Sequence, residues 1–272
     1  MIVGKSTFVE FKSGMLLSKE MLEQLEYQTH LNELQYNGYP DGVIYGLNLY
    51  EDKGKLFFST GLVKLTGDYF YIHTPIDIYS LLDKSDDNWE KGTIHSAIIL
   101  EASTPDLINE GVCMKEIQAK LVDQSTVQDN MLCLAEFQYY KGKRGWDIKN
   151  SDLESQLNTT GTIFSLLNVC YSLNGESVFS PYIYDLMKQH LERVDTPSIE
   201  DNSLLFMISQ NRLISFDTLR QWFRCKKMVV DFHSRSDIIE KFIMGVSIKK
   251  NVNNNVAPQP QQSIINDSFG MG

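Results

Sequence analysis

The feature that most constrains the fold is a series of short apolar segments in the first half of the chain, each ended by a glycine-containing turn. Two tight turns, at residues 51–55 and 66–68, are each flanked by alternating apolar residues, which is typical of antiparallel hairpins. Three longer strand-like segments follow at residues 94–102, 112–122 and 131–140. Strands at this spacing predict an antiparallel β-sandwich or barrel.

The N-terminal segment begins with an alternating stretch at residues 6–12, which predicts a first strand. Ser18 is a residue type that commonly caps helices, and the leucines and glutamates after it recur at helical spacing, so a helix is expected over residues 19–36. Asn37-Gly38 and then Pro40-Asp41-Gly42 end that helix. The sandwich is therefore expected to carry a helix near its N-terminus.

The apolar spacing changes from strand-like to helical near residue 146. Five helical segments are expected, at residues 153–169, 181–191, 199–209, 216–227 and 236–246. Ser198 and Ser215 are positioned to cap two of them. We therefore predict an α+β protein with three regions. These are a β-sandwich domain with an N-terminal helix at 1–145, a helical bundle at 146–248, and a low-complexity extended tail at 249–272.

Charge and cysteine usage exclude several classes of protein. The formal net charge is −10, and neither half of the chain is basic, so a nucleic-acid partner is not expected. The cysteines are scattered and form no CxxC pair, which favours four reduced, buried thiols. No stretch approaches the length of a membrane span, and the N-terminus does not have the pattern of a signal peptide. We expect a chain that is made and folded in the cytoplasm.

The sequence contains no recognisable catalytic constellation. There is no GxGxxG, GxxxxGK[ST] or GxSxG motif, and the five histidines lie on different predicted elements without metal-ligand spacing. The densest carboxylates, in residues 83–90, lack the glycine and glutamate of a calcium-binding EF-hand loop. A second candidate ligand site is Trp222 with the cations near it, Arg220, Arg224, Lys226 and Lys227. At helical spacing, this pattern is more typical of a tryptophan packed in the core with cations arranged around it. No catalytic residue, cofactor or metal is predicted.

The segment from Phe8 to Ile72 resembles a known family. The corner Gly14-Met15-Leu16-Leu17-Ser18, the polar helix after it, Tyr39-Pro40-Asp41-Gly42 and Tyr45-Gly46-Leu47 are similar to the start of the type VI secretion baseplate subunit TssK. The resemblance implies a β-sandwich similar to the shoulder domain of phage receptor-binding proteins, followed by a helical bundle. It also implies a trimeric or otherwise symmetric adaptor that docks on other baseplate proteins.

Two departures from the family pattern shape the functional expectation. Lys19-Glu20 replace the proline and aromatic residues that often follow the corner serine, and the chain has no obvious room for the family's last domain, which contacts a membrane complex. We therefore expect a structural adaptor of a phage tail, a phage-tail-like bacteriocin or a related contractile injection particle, made in the bacterial cytoplasm and incorporated into that particle. The alternative is a carbohydrate-active enzyme, or a carbohydrate- or ligand-binding module, built on the sandwich.

Two segments are predicted to bind partner chains. In the corner, Met15, Leu16 and Leu17 with Ser18 place apolar residues where a lone domain would have polar turn residues, although packing in the core is the alternative. In the tail, the apolar anchors are Ile264, Ile265 and Phe269. The tail has too few apolar residues to offset its own ordering entropy, so we expect a neighbouring subunit to hold it.

Overall fold

Two β-sheets and a set of helices make up the described part of the computed structural model. The residues it describes are 1–9, 18–19, 21–23, 25, 38–83, 94–109, 112–128, 130–139, 152–157 and 164–253. The predicted α+β class is confirmed. The strands are β1 (Ile2–Val9), β2 (Gly42–Gly46), β3 (Leu49–Asp52), β4 (Lys55–Phe58), β5 (Gly61–Leu65), β6 (Asp68–Ile72), β7 (Ile76–Asp77), β8 (Ile94–Ala102), β9 (Asp106–Asn109), β10 (Val112–Asp123), β11 (Met131–Tyr139), β12 (Phe164–Ser165), β13 (Tyr171–Leu173) and β14 (Glu176–Val178). The longer helices are α1 (Ile78–Asp83), α2 (Leu153–Leu157), α3 (Pro181–Glu192), α4 (Ile199–Gln210), α5 (Phe216–Cys225) and α6 (Arg235–Asn253).

Both predicted hairpins are present, and their turns show why glycine is needed. Lys53 and Gly54, and likewise Thr66 and Gly67, have positive φ at both central positions, which is the geometry of the two-residue turn that matches strand twist. The apolar segment that precedes the first hairpin turn forms two strands, β2 and β3. Gly46 and Leu47 both have positive φ, so the chain leaves the large sheet after β2 and enters the small β3–β4–β7 sheet.

Within the described residues, the large sheet has eleven strands, ordered β12-β11-β8-β10-β1-β6-β5-β2-β13-β14, with β9 paired to β10. Eight strand-to-strand steps separate β12 from β13, which would place them about 38 Å apart in a flat sheet. Only residues 166–170 connect these two strands, and that connection spans at most about 21 Å. The sheet must therefore curl, so the two faces expected of a sandwich are opposite walls of one sheet.

Residues 164–169 are not helical, although a helix was expected over residues 153–169. Helix α2 ends at Leu157, and the chain then forms β12 and the β13–β14 hairpin, whose turn is Asn174-Gly175. Both turn residues have positive φ, as that hairpin type requires. Strand β13 pairs in parallel with β2, with Tyr171 opposite Val43. Strands beyond residue 146 thus complete a sheet that begins before it, and the division at 145/146 stays a prediction.

Arg235, at the start of α6, attaches the helices to the connection that joins the two ends of the sheet. Its guanidinium donates to the carbonyl oxygens of Leu167, Val169 and Val178, each at 3.2 Å. It also donates to the Ser177 hydroxyl at 2.9 Å. The same group lies over two aromatic rings, those of Phe179 and Phe216. A planar group with five donors suits this task, because it satisfies several acceptors at once.

One continuous hydrophobic cluster runs from the sheet into the helices, from Val3 in β1 to Val246 in α6. Its most deeply buried large side chains come from both parts and include Phe58, Phe70 and Phe137 from the sheet and Phe223 and Phe242 from the helices. The helices therefore share a core with the sheet.

The predicted cap at Ser18 is confirmed. The Met21 backbone N–H donates to Ser18 Oγ at 3.3 Å, and the Leu22 N–H donates to the Ser18 carbonyl at 3.2 Å. Lys19 and Leu25 are also helical, and the rest of the helix expected over residues 19–36 lies outside the described residues. At the other end of the chain, α6 continues to Asn253, beyond the start expected for the tail.

Candidate interaction surface

Helices α4 and α5 form an antiparallel pair joined by residues 211–215. Ser198 caps α4 in a capping box, in which its hydroxyl accepts from the Asp201 N–H and the Asp201 carboxylate accepts from the Ser198 N–H. Ser215 caps α5 by accepting from the Thr218 N–H at 3.2 Å. Both predicted caps are confirmed, so the two helices start at positions fixed by local hydrogen bonds.

A buried ion pair joins the two helices where α4 begins and α5 ends. Lys226 Nζ lies 2.5 Å from Asp201 Oδ1, and the two side chains are 7% and 1% exposed. Trp222 Nε1 donates to the same carboxylate oxygen at 3.1 Å. Burial alone would raise the pKa of Asp201, but hydrogen bonds from Lys226 and Ser198 outweigh it and hold that pKa below its ordinary value. Trp222 lies in the core as expected, whereas Lys226 is buried in an ion pair and does not extend to solvent.

A groove of about 170 Å³ lies between α4 and α5, close to this ion pair. Leu204 and Trp222, both nearly fully buried, form its floor, and Ile199 and Met207 of α4 form one wall. Cys225 of α5 lines the end nearest Ile199. The groove therefore has an apolar floor, one apolar wall and an exposed thiol at one end.

Helix α4 exposes large apolar side chains beside this groove. Ile199 is 82% exposed, Phe206 64% and Met207 41%. Ile199, Ser203 and Met207 are spaced four residues apart, so they lie along one side of the helix, with Phe206 adjacent to that side. A helix that is apolar on more than its core-facing stripe usually packs against a second partner. We call Ile199, Phe206, Met207 and the groove the α4 surface.

A second exposed apolar feature lies on the outer face of the large sheet. Tyr45 of β2 and Tyr71 of β6 are opposite the same residue of β5, Leu62, and their rings meet edge-on at 6.2 Å. The ring of His73 lies 4.6 Å from that of Tyr71. Tyr45 is 47% exposed. The three rings form an aromatic strip that partly covers Leu62.

Several ionisable groups have pKa values shifted by their local surroundings. Burial raises the pKa of the Cys133 thiol and of the Tyr171 and Tyr184 phenols. Burial also acts to raise the pKa of Asp77, but hydrogen bonds at the start of α1 and nearby Lys55 lower it overall. These groups lie in different elements, and among the described residues no cluster of three or more His, Cys, Asp or Glu side chains could hold a metal ion.

The residues predicted from sequence to bind partners are only partly covered by the structure. Ser18 is exposed and acts as a helix cap. The other six lie outside the described residues, namely Met15, Leu16, Leu17, Ile264, Ile265 and Phe269. Their partner roles remain predictions.

The cysteines match the expected pattern in part. The structure places none of them in a disulfide, and Cys113 and Cys133 are buried as expected. Cys170 is only half-buried, and the expectation that Cys225 is buried is wrong, because the last turn of α5 leaves it exposed.

The α4 surface was missed at the sequence level, although a signal was present. Residues 204–208, Leu-Leu-Phe-Met-Ile, are five consecutive apolar residues within a predicted helix. A helix turns by about 100° per residue, so five consecutive side chains cover its whole circumference and some must point away from the core. Long apolar runs in short helices therefore predict exposed contact residues.

Within the described residues, no helix is both long enough and apolar enough to cross a membrane. No family model matches the sequence, and no curated protein matches it. Among solved structures, the chain is similar to a crystal structure of TssK, with 12% sequence identity and a TM-score of 0.39. The match covers 88% of this chain and 69% of the TssK chain. A similarity at this level does not assign a function, so the functional argument rests on the residues of the chain itself.

Proposed function

We propose that the protein is a non-enzymatic structural subunit that works by binding other protein chains. The α4 surface carries this proposal, because the large apolar side chains of Ile199, Phe206 and Met207 are exposed and are not used to pack α4 against the rest of the chain. Large aromatic and thioether side chains are enriched at protein–protein contacts, where their burial contributes most of the binding free energy. The surface also lies on capped, rigid helices, which lowers the entropic cost of binding.

The particle that we propose is a baseplate or tail of the phage, bacteriocin or contractile-injection type. The support is the resemblance of the N-terminal segment to TssK, in particular the corner ending at Ser18 and the Tyr45-Gly46-Leu47 segment. In the structure Ser18 starts a helix, and Gly46-Leu47 direct the chain from one sheet into the other. A symmetric oligomer, most simply a trimer, and contacts made by Met15, Leu16 and Leu17 are parts of this proposal.

Incorporation into particles tests the proposal. A Phe206→Ser, Met207→Ser double variant is produced in the host that encodes the chain, and particles are purified by gradient sedimentation and quantified by mass spectrometry. Asn202→Ser, an exposed polar change on the same helix, is the control. Removing an interface residue worth about 2 kcal/mol weakens binding about 30-fold. We expect the double variant to fold, as judged by circular dichroism, and to be depleted from particles, while the control is incorporated normally.

Two results would contradict this function. If the wild-type chain is absent from tail-like particles and sediments alone, the structural role in a particle is wrong. If the double variant is incorporated at the wild-type level, the α4 surface is not the contact and the carrying observation fails.

A carbohydrate-binding module is the second candidate, and the aromatic strip is the observation that favours it. Exposed aromatic rings on a sheet face can pack against the apolar face of a sugar, and Tyr45, Tyr71 and His73 form such a row. Binding of purified cell-surface polysaccharide by isothermal titration calorimetry tests it, with Tyr45→Ala compared with wild type. Binding that Tyr45→Ala abolishes would support this candidate, and the absence of heat with wild type would remove it.

A further inference from the structure

We propose that a cavity at the start of α3 is a binding site for a free α-amino acid with an apolar side chain. The cavity has a volume of about 170 Å³. It lies where the link between the two sheets, at residues 47–49, meets the β12–β13 connection, the first turns of α3 and the α4–α5 connection. The described residues that line it are not those of the α4 surface, so the inference is independent of the proposed contact.

The inner part of the cavity is apolar and has room for one large side chain. Its walls are formed by buried residues of the two sheets and their connections, Leu47, Phe58, Leu134, Leu166 and Val169. An engineered cavity of about 150 Å³ with a similar lining binds benzene. A leucine or phenylalanine side chain of a ligand therefore fits this space, and its burial favours binding because it removes apolar area from water.

The mouth of the cavity carries one negative and one positive group. Asp185 of α3 and Arg212 of the α4–α5 connection line the cavity with exposed side chains. Among the described residues, neither forms a salt bridge with the other or with a third residue. A simple anion at the mouth would be repelled by Asp185, and a simple cation would be repelled by Arg212. A ligand that carries both charges on adjacent groups is attracted by both residues.

Ser180, the residue before α3, supplies a buried polar group without a partner. It lines the cavity and is 2% exposed, and its hydroxyl makes no hydrogen bond with any described residue. A serine at this position normally caps its helix by accepting from a backbone N–H in the first turn, but Ser180 makes no such bond. A buried hydroxyl without a partner is unfavourable. A ligand carboxylate beside Ser180 would accept from its hydroxyl, and the positive end of the α3 dipole favours the same placement.

The polar groups and the apolar interior together fit one class of ligand. The carboxylate of an α-amino acid would lie against Arg212 and Ser180, its ammonium group against Asp185, and its side chain in the inner part of the cavity. Guanidinium groups bind carboxylates through paired hydrogen bonds. An internal residue of a partner protein carries neither charge on its backbone, and a residue at a chain terminus carries only one of them. The arrangement therefore favours a free amino acid over a peptide.

Isothermal titration calorimetry of the full chain with L-leucine and L-phenylalanine tests the assignment. We expect dissociation constants on the order of a millimolar, because the charged groups of the ligand stay partly in water at the mouth. Glycine lacks the side chain, N-acetyl-leucine the ammonium group and leucinamide the carboxylate, and each should bind at least about tenfold more weakly than leucine. The absence of saturable heat with both leucine and phenylalanine would overturn the proposal. Equal binding of leucine and its two blocked derivatives would overturn the amino-acid assignment, since apolar contacts alone would then hold the ligand.

Matched variants identify the residues that recognise the ligand. Arg212→Gln and Asp185→Asn should each weaken leucine binding about five- to tenfold. The controls Arg193→Gln and Asp195→Asn change exposed residues at the other end of α3 and should leave binding unchanged. Ser180→Ala should also weaken binding but should not destabilise the ligand-free protein, because the hydroxyl makes no hydrogen bond there. If the variants at the mouth bind leucine as tightly as the controls do, the recognition assigned to Asp185 and Arg212 is wrong.

Methyl NMR spectroscopy shows where the ligand binds. Titration with leucine should shift the methyl signals of Leu134 and Val169, which line the inner cavity. It should leave unchanged the signals of Leu204, on the floor of the groove between α4 and α5. Shifts at Leu204 alone would place the ligand in that groove, and no shift at Leu134 or Val169 would show that the cavity holds only water. Either result would overturn the assignment.

Discussion

Replacing Arg235 with methionine removes the group that links α6 to the connection between β12 and β13. Methionine keeps much of the unbranched apolar stem, so the change mainly deletes the guanidinium and its hydrogen bonds. Three carbonyl oxygens, those of Leu167, Val169 and Val178, lose their charged donor, and all three residues are buried. The variant therefore tests whether this contact holds the helices and sheet in one cooperative unit.

The expected loss in the free energy of unfolding follows from those three carbonyl oxygens. An unsatisfied buried acceptor costs about 1–3 kcal/mol, and the lower end applies here because Arg235 is half-buried and water can partly replace it. Loss of the cation above two aromatic rings adds about 0.5–1 kcal/mol. We expect Arg235→Met to lower the free energy of unfolding by about 4 kcal/mol. Arg235→Lys should lower it by about half as much, because an ammonium group has three donors and no planar fork.

Urea unfolding followed by circular dichroism and tryptophan fluorescence measures this difference. Arg224→Met is the control, because it also removes one positive charge from a helix but at an exposed position, and it should change stability by less than about 0.5 kcal/mol. A shared m-value for all variants would show that they unfold from equally compact states. If Arg235→Met is within about 1 kcal/mol of the control, the attachment assigned to Arg235 is wrong.

Substitutions at three other places test further contacts in the structure. Lys226→Met leaves the Asp201 carboxylate buried without its cation and should cost about 3–5 kcal/mol in urea unfolding. Because folding lowers the pKa of Asp201, the stability it contributes is complete above about pH 5 and is lost as pH falls through the lowered pKa. Asp201→Asn should therefore flatten the acid side of the stability–pH profile. Gly46→Ala places a Cβ 2.1 Å from the carbonyl oxygen of Thr60, just before β5, and should prevent folding, whereas Gly175→Ala, with similar positive φ but open space, should cost only about 1–2 kcal/mol. Tyr184→Phe removes a buried 2.7 Å hydrogen bond to a carbonyl and should cost about 1–2 kcal/mol, and a loss below 0.3 kcal/mol would contradict that.

Local signals in the sequence predict the elements that local interactions determine. The hairpins at Lys53-Gly54 and Thr66-Gly67 and the caps at Ser18, Ser198 and Ser215 are all present, because each depends on residues adjacent in sequence. The β13–β14 hairpin was predictable by the same reasoning, since Asn174-Gly175 is a strong hairpin signal, but the neighbouring apolar residues also fit helical spacing.

Features that depend on long-range contacts could not be obtained in this way. The parallel pairing of β13 with β2, the ion pair between Asp201 and Lys226, and the contacts of Arg235 join residues far apart in the chain. Periodicity shows which side of a helix is apolar, and composition shows which residues can pair. Neither identifies which distant residue is the partner, because that depends on how the whole core packs.

The curled sheet has a consequence for how the chain is made. The Tyr171 hydroxyl donates to the Gly46 carbonyl, and these residues are 125 positions apart. At a synthesis rate of about 5–20 residues per second, the edge of β2 leaves the ribosome roughly 6–25 s before its partner strand exists. During that interval the edge can pair with the same strand of another nascent chain. Yield in the cell should therefore depend on how closely ribosomes follow one another along the message.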